Sequence, residues 1–134
     1  MIHPTAATPA KTWRADGFIQ VAEHLRASGL DSVFIGAASD DLSPFRAWRV
    51  VAGAPLSEIK PLLAASTLFV GNDSGPAHLA AALGVPSVVI FGPADPAIWG
   101  PWRAPAEVVR APGGIAAVEV TQVLGALARL KVAA

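Results

Sequence analysis

The 134-residue sequence predicts an open α/β domain in which helices cover both faces of a parallel sheet. Short, continuous apolar runs, such as residues 33–35 and 87–91, are typical of strands that are buried on both faces. Segments with helical patterns separate these runs, and the connections between them are short. Strands that alternate with helices in this way favour right-handed crossovers within one parallel sheet.

The first part of the chain supplies one predicted helix and two predicted strands. The helix is expected to begin with Asp16 as its N-cap and to end at Gly29, which favours a C-terminal stop. Residues 30–36 and 48–52 follow as strands. The apolar face of the helix consists of Phe18, Val21, Ala22 and Leu25.

The second part of the chain continues the alternation. Its predicted elements are a helix from Ser57 to Leu63, a strand at 67–71, a helix at 77–83 ended by Gly84 and Pro86, strands at 87–91 and 107–110, and a closing helix at 118–130. Ser57 is the expected cap of its helix, which tolerates Pro61 only in the first turn. Residues 92–112 are rich in proline and tryptophan and predict a long packed loop.

Composition limits the function classes. Ten basic residues balance ten acidic ones, so nucleic acid is not an expected partner and any anion site must be local. The chain has no cysteine, which excludes disulfides and thiolate metal sites. Residues 1–134 fit one domain without a signal peptide or membrane span, and we expect a cytoplasmic protein. A loop with functional character begins almost at Met1, which indicates a fragment or an excised domain.

The turn after the 67–71 strand carries the strongest functional signal. Ser74 and Gly75 are expected to present backbone N–H groups at a helix N-terminus, where orphan donors and the helix dipole favour an anion. His78 lies one turn further on, and Asp73 precedes the helix, where it can accept a hydrogen bond from a hydroxyl. The competing interpretation is that Asp73 or Ser74 is a plain N-cap without a ligand.

Two further loops offer groups suited to a nucleotide. The opening segment contains Thr5, Thr8 and Lys11, whose hydroxyls and compact cation suit phosphate oxygens, although a lone lysine there is commonly just solvated. Asp40 and Asp41 follow the 30–36 strand, where a carboxylate commonly meets ribose hydroxyls. A turn with an N-cap would explain the same two residues.

Residues 3–13, 72–81 and 91–96 together resemble the C-terminal domain of glycosyltransferase family nine, the ADP-heptose:lipopolysaccharide heptosyltransferases. The three motifs occur in the family's order and spacing. The resemblance implies a GT-B architecture, in which two Rossmann-like halves face a cleft and the C-terminal half binds the nucleotide-sugar donor. The chain covers that half, so the acceptor-binding N-terminal half is expected to be absent.

The resemblance also implies roles for individual residues. The diphosphate-binding residues are Thr5, Thr8, Lys11, Ser74, Gly75 and His78, with Asp40 at the ribose and Asp73 near the transferred sugar. No metal and no cofactor are implied. The family usually has glutamate in the Asp40–Asp41 loop, so the choice between these two aspartates stays open.

The implied activity is inverting heptosyl or glycosyl transfer in lipopolysaccharide core biosynthesis. The partners are an ADP-heptose-type donor, the N-terminal half with its carboxylate base, and a lipid-linked saccharide acceptor, with the full-length protein peripheral to the inner membrane. The isolated domain is expected to be inactive. The alternatives are a stand-alone sugar-nucleotide-binding module and one half of a GT-B-type epimerase. Phe91, Trp99 and Trp102 either wall the cleft or pack the long loop.

Overall fold

The computed structural model describes residues 1–92 and 105–130 and contains a six-stranded parallel sheet. The strands are β1 (Ile2–His3), β2 (Val33–Gly36), β3 (Arg49–Ala52), β4 (Phe69–Asn72), β5 (Ser87–Ile90) and β6 (Ala106–Val109). They lie in the order β3-β2-β1-β4-β5-β6, and every neighbouring pair is parallel. The predicted Rossmann-like open sheet, of the kind that forms half of a GT-B enzyme, is confirmed.

Helices cover both faces of this sheet, as predicted. The helices are α1 (Ala15–Ala27), α2 (Leu56–Ala64), α3 (Gly75–Ala82) and α4 (Val120–Leu130), with short 3-10 turns at Pro9–Lys11, Ser43–Phe45 and Ile115–Ala117. One buried cluster joins α1 and α4 to side chains such as Val70 and Ile90. A second cluster joins α2 and α3 to Phe69 and Val89, which are next to Val70 and Ile90 and point to the opposite face.

The central strand β1 is absent from the sequence prediction, which treated the opening residues as a loop. Ile2 pairs with Phe34 of β2 and with Val70 of β4, and it is fully buried. Two residues are too short a stretch to show strand periodicity, so only the pairing partners on both sides reveal the strand. β1 brings His3 and the opening segment to the middle of the sheet.

Two predicted helix caps are wrong. Arg14 and Pro55 occupy the N-cap positions of α1 and α2, and neither side chain caps the helix. Asp16 lies in the first turn of α1, with Oδ2 3.4 Å from Nε of Arg14. α1 begins earlier than predicted because the preceding Trp13 is anchored in the core through its backbone N–H and its ring. Proline preorganises the start of α2 one residue before Leu56.

The ends of two helices agree with the prediction. Gly29 and Gly84 have φ angles of 91° and 76°, and each follows the C-cap of its helix in the left-handed conformation that glycine tolerates. Pro61 lies inside α2 rather than in its first turn. Phe91 is fully buried with the α2 and α3 cluster, which supports its packing role, whereas Trp99 and Trp102 lie outside the described residues. Within residues 1–92 and 105–130, no helix has the length and apolar character needed to cross a bilayer.

Candidate functional site

The loops that contain the predicted site residues meet at the carboxyl edge of the sheet. They follow β1, β2 and β4, which are adjacent strands. The strand order reverses between β1 and β4, and doubly wound sheets bind their ligands outside the carboxyl ends of the strands at such a switch point. The topology therefore favours the region where His3 of β1 pairs with Gly71 of β4 as a candidate ligand site.

Four side chains form a continuous hydrogen-bond chain across this switch point. Thr5 Oγ1 donates to Asp40 Oδ2 at 2.8 Å and lies 3.3 Å from His3 Nε2. The other ring nitrogen, Nδ1, lies 3.1 Å from Ser74 Oγ. This hydrogen-bond chain, Asp40–Thr5–His3–Ser74, joins the loops after β2, β1 and β4. It brings together three residues that the sequence singled out separately.

The charge states within the hydrogen-bond chain follow from its surroundings. Burial lowers the pKa of His3, and the nearby Asp40 carboxylate opposes that shift only in part. The hydroxyl of Thr5 and the amide of Ala37 donate to Asp40 and lower the pKa of its carboxyl group. Near neutral pH the hydrogen-bond chain therefore contains an ionised Asp40 and a neutral His3.

The structure separates the two aspartates that the sequence left as alternatives. Asp40 turns back over the end of β2 and accepts a second hydrogen bond from Ala37 N–H at 2.8 Å. Gly36 permits this turn, because a Cβ there would lie 3.0 Å from Asp40 Oδ2. Asp41 instead accepts hydrogen bonds from the backbone and hydroxyl of Ser43 on the exposed side of its own loop. Asp40 thus joins the candidate site and Asp41 does not.

The turn into α3 has the predicted form but a different use of its serine. Ser74 is the N-cap residue and Gly75 begins the helix, yet the Ser74 side chain makes no capping hydrogen bond. Ser74 is therefore the N-cap residue, as one of the two interpretations predicted, but its hydroxyl contacts His3 rather than capping the helix. A Cβ on Gly75 would meet no atom within 4 Å, so the start of α3 is open to a ligand.

Asp73 and His78 lie beside one another at this turn. Nε2 of His78 is 3.5 Å from Oδ1 of Asp73. The Asp73 side chain is 10% exposed and that of His78 is 41% exposed, so the pair runs from the protein interior to the surface. The imidazole of His78 is therefore the more exposed member of this pair.

A buried asparagine fixes the opening segment to the end of β4. Asn72 is fully buried, and its Oδ1 accepts a hydrogen bond from the Trp13 backbone N–H at 3.0 Å. Its Nδ2 donates to the Thr5 carbonyl at 3.4 Å. The Trp13 indole N–H donates to the Val118 carbonyl at 3.0 Å and secures the other end of the segment. Sequence reasoning assigned no role to Asn72 or His3, although both are polar residues that end buried strands.

Lys11 and Thr8 belong to the opening segment, which also packs near the end of β5. The 3-10 turn that contains Lys11 packs against Gly92 at the end of β5, where a Cβ would overlap the Ala10 carbonyl oxygen and lie 3.5 Å from Cα of Lys11. Thr8 lines a hollow of about 430 Å³ formed by its own segment. Gly75 lines a different hollow.

The hollow beside Gly75 is the larger and more apolar feature. It has a volume of about 550 Å³ and lies between α2 and α3 at the ends of β1 and β2. Its walls are His3, Ile35, Gly36, Ala37, Ala54, Leu56, Ile59, Gly75, Pro76 and Leu79. An apolar hollow with a few convergent polar groups at one end is typical of small-molecule sites.

An open parallel sheet whose polar loops converge at its switch point defines a Rossmann-like domain. Residues 1–124 match the family described as glycosyltransferase family 9 (heptosyltransferase). The chain belongs to this family, as the sequence motifs predicted.

Individual relatives agree with the family match. Lipopolysaccharide heptosyltransferase 3 of Escherichia coli K12 is 33% identical over 113 residues, which cover 76% of this chain and 33% of that protein. The solved structure of E. coli ADP-heptose lps heptosyltransferase II is 30% identical with a TM-score of 0.80, covering 96% of this chain and 45% of that one. The structure of E. coli heptosyltransferase WaaC with ADP is 22% identical with a TM-score of 0.87, and the match covers 96% of this chain and 43% of that one. This likeness supports the fold. The chain spans about a third of the length of the curated relatives it matches.

Proposed function

We propose that this chain is the donor-binding half of an inverting heptosyl- or glycosyltransferase of lipopolysaccharide core biosynthesis, and that it binds an ADP-heptose-type nucleotide sugar. The hydrogen-bond chain across the β1–β4 switch point, beside the open start of α3, is the observation that carries this proposal. It supplies polar groups at the carboxyl ends of the strands, where doubly wound sheets bind their ligands. Residues 1–134 form one domain in this proposal.

The diphosphate is assigned to the start of α3. The backbone N–H groups there, with Ser74, Gly75 and His78, provide donors and a helix dipole for an anion. Lys11, Thr5 and Thr8 approach from the opening segment that Asn72 holds in place. Breaking the sugar–phosphate bond leaves negative charge on the diphosphate, and fixed donors aimed at that charge lower the barrier.

The nucleoside is assigned to the other side of the site. Both described hydrogen bonds to Asp40 use Oδ2, so Oδ1 is placed to accept one from a ribose hydroxyl. The apolar hollow continues from there between Leu56 and Ile59 of α2 and Leu79 of α3, and it suits a flat nucleobase. Asp73 is assigned to the transferred sugar because it is at the same turn as the phosphate donors.

Transfer itself requires groups that we assign to another part of the protein. The acceptor hydroxyl needs a base, and we assign that carboxylate and the lipid-linked saccharide acceptor to an N-terminal half. The location assigned to the full-length enzyme is the cytoplasmic side of the inner membrane. The 134-residue chain is therefore expected to bind donor without transferring sugar.

Calorimetric titration of the chain with ADP tests the proposal. We expect a Kd on the order of micromolar to millimolar for half of a cleft. Lys11→Ala and His78→Ala are each expected to weaken ADP binding by roughly 10- to 100-fold, since a charge-assisted hydrogen bond contributes roughly 1.5–3 kcal/mol. Arg49→Ala is the matched control, because Arg49 begins β3 at the opposite edge of the sheet.

The outcomes separate the site from its individual residues. Absence of heat with ADP and with other nucleoside diphosphates contradicts donor binding by this domain. Unchanged affinity in Lys11→Ala removes that side chain from the site without removing the site. A loss in Arg49→Ala as large as in the other two variants indicates a general charge effect rather than a local one.

A further inference from the structure

We propose that His3 sets the direction of hydrogen bonding at Ser74, so that binding of a diphosphate at the start of α3 is coupled to proton uptake by His3. This inference rests on the proposed function, because it needs a diphosphate at that turn. It makes His3 a positioning residue that acts on the ligand through Ser74.

The direction of the hydrogen-bond chain follows from counting protons. Ionised Asp40 can only accept, so the single hydroxyl proton of Thr5 is donated to it at 2.8 Å. Thr5 Oγ1 can then only accept from the ring of His3, which places a proton on Nε2. A neutral imidazole has one N–H, so Nδ1 has a lone pair and accepts the hydroxyl proton of Ser74.

This direction has a cost for an anionic ligand. With its proton donated to Nδ1, Ser74 Oγ presents only lone pairs to the open start of α3. A phosphate oxygen placed there meets another acceptor and gains no hydrogen bond. The hydroxyl that sequence reasoning assigned to the phosphate therefore points the wrong way while His3 is neutral.

Protonation of His3 reverses only the last link. A proton on Nδ1 donates to Ser74 Oγ, and the Ser74 hydroxyl proton becomes available to a phosphate oxygen. The link from Nε2 through Thr5 to the Asp40 carboxylate stays as it was and stabilises the positive ring. Because burial lowers the pKa of His3, the unliganded protein holds the ring neutral, and the extra proton must be taken up on binding.

The charged groups around His3 come from both neighbouring strands. Asp40, after β2, is the carboxylate whose charge acts on the His3 ring. Asp73 and His78, after β4, lie 3.5 Å from one another and present a second imidazole near the same ligand. Lys11 lies at the end of β5, two strands away from β1. The test must therefore separate His3 from His78.

Histidine NMR with ADP-glucose provides that separation. Its diphosphate is a diester, so it has no protonation step near neutral pH that would obscure the result. The chain contains three histidines, which His→Gln variants assign one by one. We expect ligand to raise the pKa of His3 by about one pH unit, which by reciprocity means about tenfold tighter binding to the protonated protein. Calorimetry in buffers of different ionisation enthalpy should show matching proton uptake.

Variants distinguish reorientation of the Ser74 hydroxyl from a direct electrostatic effect of the ligand charge on the His3 pKa. In Ser74→Ala, which loses no capping bond, the rise in the His3 pKa on binding should largely disappear, and Ser74→Thr should restore it. In His3→Gln, the pH dependence of binding should be weaker than in the wild type, whereas His24→Gln, at the exposed end of α1, should leave it unchanged.

Three results would overturn the inference. An equal rise in the His3 pKa in Ser74→Ala shows that the ligand charge alone is responsible. Proton uptake that is lost in His78→Gln and kept in His3→Gln assigns the proton to the other ring. Binding of ADP-glucose without any change at His3 rejects the coupling but leaves donor binding intact, whereas no binding at any pH rejects both proposals.

Discussion

The two faces of the sheet are packed in different ways. On the α1 and α4 face, large rings interlock: Trp13 and Phe18 meet edge to face at 5.1 Å, and Phe34 and Phe45 stack at 4.4 Å. The α2 and α3 face is built mainly from small and aliphatic side chains, such as Ala77 and Ala80. There, the hollow of about 550 Å³ lies between the two helices, open to the carboxyl edge.

This difference indicates that the two faces contribute differently to stability and to ligand binding. Interlocked aromatic side chains pack one face around a buried core. Short side chains on the other face let α2 and α3 approach the sheet without filling the space above β1 and β2. Stability should therefore depend mainly on the first face and ligand binding on the second.

The largest expected effect comes from the aromatic face. Phe18→Ala should lower the free energy of unfolding by about 3–5 kcal/mol, because the ring is fully buried and leaves a cavity. Leu79→Ala is the matched change beside the existing hollow and should cost less than half as much. Urea denaturation measures both. Equal losses would break the comparison, since they would mean that the two faces are packed equally well.

The next effect concerns Asn72, which anchors the opening segment to the end of β4. Asn72→Ala leaves the buried Trp13 N–H without its acceptor and should cost about 1–3 kcal/mol. Because the opening segment is also released from β4, ADP binding should weaken as well. Thr12→Ala removes an exposed hydrogen bond to Thr8 within the same segment and should cost less. Intact ADP binding in a destabilised Asn72→Ala would separate anchoring from ligand binding.

The aromatic face is also the part of the molecule that sequence periodicity predicts best. Phe18, Val21 and Leu25 follow helical spacing, and the buried strands are continuous apolar runs, so the fold class could be predicted. β1 could not, because its two residues acquire strand geometry only from their neighbours in the sheet.

The candidate site was predictable only as separate loops. Thr5, Asp40 and Ser74 could be chosen for their chemistry and their place after strands. The hydrogen bonds that join them connect residues far apart in sequence: Thr5 and Asp40 are 35 positions apart, and His3 and Ser74 are 71 positions apart. No local sequence pattern encodes such contacts. His3 was therefore missed, although it is the residue that connects the other three.

A smaller effect should appear in the dependence of stability on pH. The pKa of His3 is lowered by folding, so below its ordinary value of about 6.5 the unfolded chain binds more protons than the folded one. Stability should therefore fall as the pH is lowered from 7 through the pKa of folded His3. Asp40 adds a second loss below about pH 3.9, because its pKa is also lowered by folding.

Denaturation midpoints between pH 7 and 5 test the first of these windows. His3→Gln should reduce the pH dependence there, and part of the remainder is expected from the buried Met1 amino group, whose pKa is lowered by burial to about 6. His24→Gln on the surface of α1 should leave the dependence unchanged. The same dependence in the wild type and His3→Gln would mean that the buried ring is protonated as easily in the folded chain as in the unfolded one.

The smallest effect on stability is expected on the open face, where it should coincide with a clear effect on binding. Leu56 is 65% exposed at the start of α2 and lines the hollow, so Leu56→Ala should change stability by less than about 0.5 kcal/mol. If the hollow holds the nucleobase, ADP binding should weaken, and binding of inorganic pyrophosphate, which has no base, should not. Val108→Ala, a matched exposed apolar change on β6, should affect neither ligand. Parallel loss of ADP and pyrophosphate would assign Leu56 to the phosphate end of the site, and unchanged ADP affinity would place the base outside the hollow.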